Sequence, residues 1–192
     1  MKIKHHLLSF GTLVLFLFLF PAAQSAAASA HTDPKARLEF PVTINGFRFV
    51  GKKRFRNPAV GYMLRYVDRG GITVDLFVYD LGLPNIKNGV ADPNVVKQKK
   101  QAMGDIYTAL RYGMYRKVKQ AKTPGSFPPG FLSASYRITD RRGNIRRSHL
   151  FIRGQNRHFV KLRASGPDAG STDARIAGFA RQLLPLVTRA AR

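Results

Sequence analysis

The chain has 192 residues with neither Cys nor Trp, and Lys plus Arg outnumber Asp plus Glu by 33 to 10, for a formal charge of +23. At 44% hydrophobic residues it holds enough apolar material for a core, which excludes a disordered chain. The missing cysteine excludes a disulfide scaffold, thiolate metal sites, a cysteine nucleophile and a lipid anchor on an N-terminal cysteine.

Residues 1–30 read as a cleavable signal peptide. Lys2 and Lys4 form a positive start, Leu7 to Phe20 is apolar apart from Ser9, Gly11 and Thr12, and Pro21 ends the run. Ala28-Ser29-Ala30 fits the small-x-small pattern of a signal peptidase site, so cleavage after Ala30 is expected, with Ala26 and Ala28 as alternatives. The apolar run is 14 residues long. A bilayer span needs about 20, so no transmembrane span is expected after cleavage. The protein is therefore expected to be periplasmic or secreted, with residues 31–192 as a single domain.

Leu38 to Val42 alternates apolar with polar residues, and Asn45-Gly46 supplies a hairpin turn toward Phe47 and Phe49. A second hairpin joins Gly61–Val67 to Ile72–Tyr79 around Asp68–Gly71. Asp92-Pro93 starts a helix, with Asp as cap and Pro at the first helical position. Val96, Met103, Ile106, Tyr107, Leu110 and Met114 form its apolar stripe, and the helix is expected to end near Arg116. After a Pro/Gly loop from Lys122 to Gly130, three strands form a meander: Phe131–Thr139, Ile145–Ile152 and Arg157–Ala164. Ser171 or Thr172 caps a closing helix with Ile176, Phe179, Leu183 and Val187 on its apolar face, and Pro185 kinks or ends it. The order predicts an α+β domain: an antiparallel sheet with a long central helix and a C-terminal helix packed on it, an α/β/α sandwich.

With meander loops of about four residues, Tyr136 pairs with His149 and His149 with Val160. One face then gathers Leu132, Tyr136, His149, Phe151, His158 and Val160 as a core face. The other gathers Arg137, Arg146, Arg157, Lys161 and Arg163 around an apolar patch of Leu150, Ile152 and Phe159. With the turn residues Arg141, Arg142 and Arg153, those cations are candidates for binding an anion, because the planar guanidinium fork suits phosphate and carboxylate. Leu150, Ile152 and Phe159 are candidates for a protein-partner patch. The plainer reading of each cation is a solvated stem covering the sheet.

The sequence contains no HExxH, P-loop, G-x-G-x-x-G or G-x-S-x-G. His149 and His158 fall as diagonal neighbours, a buried hydrogen-bonded pair rather than a metal site, and no cofactor or metal is expected. Ser133 and Ser135 alternate with core residues and carry no nucleophile signature. Aromatic residues fall mostly at core spacing. As an expected exported protein, it would take nucleic acid as a partner only outside the cytoplasm.

The hairpin carrying "GYMLRY" and "ITVDLFVYDLG", the central helix, the meander ending "RHFVKLRAS" and the closing helix resemble the PsbP-like superfold over most of residues 37–188. That resemblance implies a sandwich acting as a binding or assembly module without catalysis, and it transfers no functional residue. The expected function is a strongly basic, non-catalytic module docking an anionic polymer, lipid head groups or an acidic protein. The alternatives are a hydrolase with an unrecognised site, or a periplasmic assembly factor using the apolar patch.

Overall fold

The computed structural model describes residues 29–189, so the signal-peptide reading of residues 1–28 lies outside the described residues. β1 (Ser29–Asp33) and β2 (Leu38–Pro41) form a small antiparallel sheet. Cleavage after Ala30 would remove the start of β1, whereas cleavage after Ala26 or Ala28 leaves the strand whole.

The first part of the main sheet comprises β3 (Thr43–Ile44), β4 (Phe47–Arg54), β5 (Tyr62–Val67) and β6 (Thr73–Tyr79). Helix α1 (Pro93–Arg111) follows, then β7 (Tyr115–Ala121), β8 (Leu132–Asp140), β9 (Ile145–Gln155), β10 (His158–Pro167) and helix α2 (Gly170–Thr188). The eight strands lie in the order β3-β4-β5-β6-β10-β9-β8-β7, and every neighbouring pair is antiparallel. α1 packs on one face of the sheet, against Ala134, Tyr136, Ile138 and Leu150. α2 packs on the other, against Phe151, Val160, Leu162, Leu64 and Val74. Leu150 and Phe151 are adjacent on β9 and point into opposite cores, so the expected α+β sandwich is the fold observed.

Local chemistry explains most boundaries. Asn45 and Gly46 take φ of 48° and 78°, the left-handed pair that a tight hairpin requires. The Asp92 carboxylate accepts the Asn94 N–H at 2.7 Å and Pro93 follows it, which starts α1 where the sequence reading put it. The helix ends earlier than expected. Tyr112 caps it and Gly113, at φ 67°, turns the chain out in the left-handed conformation favoured after a helix. The buried stripe is also rotated. Val95, Gln98, Ala102 and Ile106 face the sheet, while Val96 and Met114 are exposed. The chain beyond Gly113 becomes β7, an outer strand carrying Arg116, Lys117 and Lys119. α2 starts at Gly170 without a side-chain cap. The Thr172 hydroxyl instead donates to the Pro167 carbonyl at 2.8 Å. Pro185 does not end α2, which continues to Thr188.

The meander register differs from the expected one by a single residue between β8 and β9. Tyr136 lies opposite Ser148 and His149 opposite Ser135; on the other side His149 faces Ala164 and not the expected Val160, because the β9–β10 loop holds only Asn156 and Arg157. The cause between β8 and β9 is the turn. Asp140 N–H bonds to the Asn144 carbonyl, which leaves a three-residue loop, Arg141 to Gly143, with Gly143 at φ 89°. One residue of slip exchanges the faces of β8 relative to β9 and β10. Leu150, Ile152 and Phe159 are 0, 0 and 1% exposed because α1 covers their face of the sheet, so the partner-patch reading is overturned. Each contributes about 1.5–3 kcal/mol of burial to the core. His149 and His158 are not neighbours either, since His158 starts β10, far from Ala164.

Candidate functional site

The predicted cations do not share one face. Arg137 lies on the α2 side and pairs with Asp168, while Arg146, Lys161 and Arg163 lie on the α1 side. Arg153 is 6% exposed and donates to the Gly130 carbonyl at 3.2 Å and the Gln155 side chain at 3.1 Å, so it is an interior strut rather than a binding group. Arg141 donates to the Gly113 carbonyl at 2.7 Å. Arg142 is exposed on the β8–β9 turn. Arg157, at φ 64° in the β9–β10 turn, donates to the Pro84 carbonyl at 2.9 Å. The structure brings these eight residues into no single platform.

Lys161 occupies a distinctive place among them. Its ammonium lies 4.7 Å from the centre of the Phe77 ring and 5.1 Å from that of Tyr79. Burial and then the neighbouring Arg163 charge push its pKa down to about 8, against the opposing pull of Asp105. In an NMR titration we expect Lys161 to lose its proton near pH 8. A Phe77→Ala substitution, by admitting water, should raise that midpoint. An unperturbed midpoint near about 10.4 in the parent protein would refute this account.

A buried relay crosses the α2 side. Ser135 Oγ lies 2.9 Å from His149 Nδ1, and His149 Nε2 lies 3.0 Å from Asp173. Arg147 bonds the other Asp173 oxygen, and Asp168 joins Arg147 to Arg137. Burial holds the His149 pKa below the ordinary imidazole range, although Asp173 pulls it up. The neutral ring thus accepts from Ser135 and donates to Asp173. Ser135 is 2% and His149 3% exposed, and Phe127 covers the ring edge-on at 5.0 Å. No substrate carbonyl reaches the hydroxyl in this conformation. The relay ties the first turn of α2 to the sheet.

The sequence reading missed a cleft of about 680 Å³ at the end of the sheet where β1 lies beside β4, β5 and β6. It is lined by His31, Asp33, Arg54, Tyr62, Asp80 and His158, with Phe55 and Tyr79 at its apolar side and Lys35 at its mouth. A short 3-10 turn, Pro58–Val60, forms one wall. Its end, Gly61, packs so closely on β6 that a Cβ there would lie 1.9 Å from the Val78 carbonyl oxygen. Lys52 reaches over the Tyr62 ring at 4.9 Å, and its Nζ lies 3.1 Å from the His31 ring nitrogens.

Lys35 and Arg54 line this cleft together with Asp33 and Asp80, and the neighbouring chain adds Lys52, Lys53 and Arg56. Burial, then Lys52, with a smaller push from Arg54, drive the His31 pKa down, and only Asp33 opposes them. Burial and then Arg54 likewise lower Lys52. Tyr62 is pushed well above the phenol range by burial and by the Asp33 carboxylate beside it. The local clue in the sequence was the run Gly51 to Arg56, in which Lys52, Lys53, Arg54 and Arg56 surround Phe55.

Comparison with known proteins yields no matching family model, no matching curated protein and no matching solved structure.

Proposed function

We propose that this protein is an exported, non-catalytic binding module that docks an anionic partner through the basic residues beside the cleft. The carrying observation is the unequal use of charge. Eight of the ten acidic residues are engaged in turns, caps or ion pairs of the fold: Asp33, Asp68, Asp75, Asp80, Asp92, Asp140, Asp168 and Asp173. Only four basic residues share those ion pairs among the described residues, namely Arg65, Arg137, Arg147 and Arg175. Lys35, Lys53, Arg54 and Arg56 are exposed at the cleft end of the sheet, and an anion bound there would relieve their mutual repulsion. The apolar start of the chain and its small-residue site support export. The resemblance to the PsbP-like superfold supports a binding role.

Heparin, a soluble sulfated polymer, tests the site. Changing Lys35, Lys53, Arg54 and Arg56 to Glu should weaken heparin binding tenfold or more beyond the loss caused by the same change at Lys97, Lys100, Lys117 and Lys119. Both sets alter net charge equally, and all eight side chains are exposed. Affinity should fall as salt rises. Equal losses would show that the cleft has no special part in binding.

A further inference from the structure

We infer that the anionic partner is a lipid bilayer surface, and that the loops beside the cleft insert leucine side chains into it. This rests on the anion-docking reading above and names its partner.

The inference starts from apolar residues that the fold leaves outside. Leu81, Leu83 and Val60 are 41, 37 and 36% exposed. They sit on two adjoining loops, one following β6 and the other containing the Pro58–Val60 turn. The Leu81 N–H to Ala59 carbonyl bond of 2.8 Å fastens the loops together, and a Leu83 N–H to Asp80 carbonyl bond of 3.0 Å tightens the first. Leu81 also takes φ of 55°, a left-handed conformation that disfavours a branched side chain such as leucine. The fold thus holds a partly exposed leucine in a strained backbone position.

Basic residues outnumber acidic ones beside these loops, where Asp33 and Asp80 are the acidic members. Arg54 and Lys35 line the cleft together with Ala59 and Gly82 of the same loops. Arg56 precedes the Pro58–Val60 turn, and Arg157 clamps the far side through the Pro84 carbonyl at 2.9 Å. Apolar side chains beside a net basic patch match an interface with hydrocarbon below and anionic head groups above. Either component alone binds weakly, and stable docking takes both. The apolar residues lie on loops rather than in a groove. A fluid acyl layer accommodates such a shape without a complementary partner.

The chain contains no Trp, so Leu83→Trp creates a single reporter. Tyr112→Trp, at a residue 78% exposed after α1, serves as the control. Vesicles of equimolar phosphatidylglycerol and phosphatidylcholine should shift the Leu83→Trp emission to the blue and allow quenching by brominated acyl chains. Phosphatidylcholine alone should do neither, and the Tyr112→Trp emission should stay unshifted in both. A Leu81→Ser, Leu83→Ser double variant should lose at least fivefold in vesicle partition while its circular dichroism and heparin affinity stay unchanged. An unshifted Leu83→Trp on vesicles that sediment the protein would overturn insertion and leave anion docking standing. Heparin binding without vesicle binding would do the same. Full vesicle partition by the double variant would also overturn it. Loss of both heparin and vesicle binding in the parent protein would remove the underlying reading as well.

Discussion

Replacing Gly61 by alanine should destabilise the protein by about 3 kcal/mol or more, among the largest effects of any single substitution. Two causes add. Gly61 has φ of 65°, where any Cβ is strained by about 1 kcal/mol. The added carbon would also lie 1.9 Å from the Val78 carbonyl oxygen and 2.9 Å from its carbon, both backbone atoms of a strand paired on each side. Nothing flexible is available to move. Gly82 is the control, because its φ is 73° but nothing lies within 4 Å of an added Cβ. Gly82→Ala should cost only the strain. Urea unfolding of the two variants measures the difference directly, and equal midpoints would show that the 3-10 turn shifts freely on β6.

Removing the His149 imidazole, as in His149→Phe, should cost about 2–4 kcal/mol. It strips Asp173 of one partner and leaves the Ser135 hydroxyl buried beside an apolar ring. The same residue makes stability depend on pH. Around its ring stand Ser135 on β8, Asp173 on α2, Arg147 on β9 and Phe127 from the preceding loop. Its folded pKa lies below the unfolded value of 6.5, so the unfolded chain takes up a proton first as pH falls. Stability is therefore flat above about pH 7 for this group, declines below about 6.5 and levels off under the folded pKa. His149→Gln, which keeps an amide in place without a titrating ring, should flatten that decline. Thermal melts between neutral and mildly acidic pH distinguish the two. A decline of undiminished slope in the glutamine variant would assign the effect to another group.

Features carried by local chemistry were legible in the sequence. The turns at Asn45-Gly46 and Asp68–Gly71 announce themselves through glycine at positive φ, and the cap at Asp92 through the proline beside it. The stripe Ile176, Phe179, Leu183 and Val187 is buried as its spacing predicts. Features set by counting across a loop were not. A glycine that closes the Arg141–Gly143 turn one residue early puts Arg137 on the face opposite Arg146, Lys161 and Arg163, while α1 covers the face that carries Leu150, Ile152 and Phe159. β7 escaped because a border strand needs little apolar content, and Val118 is the one large aliphatic residue in it. The rotation of α1 was hidden because its buried face includes Gln98, whose amide donates to the Tyr79 hydroxyl at 3.1 Å, and small Ala102. The cleft assembles residues 31–35, 54–62, 78–82 and 158, which only the tertiary fold brings together.

β7 has a consequence for crowded solutions. Among the described residues its outer border pairs with no further strand, so a second copy of the chain could continue the sheet there. To do so, that copy would have to bring its own Arg116, Lys117 and Lys119 against an identical row. Self-association along this border is therefore gated by ionic strength. In dilute salt repulsion reaches across about 10 Å and keeps copies apart, and near molar salt it shrinks to about 3 Å and pairing of two copies becomes permitted.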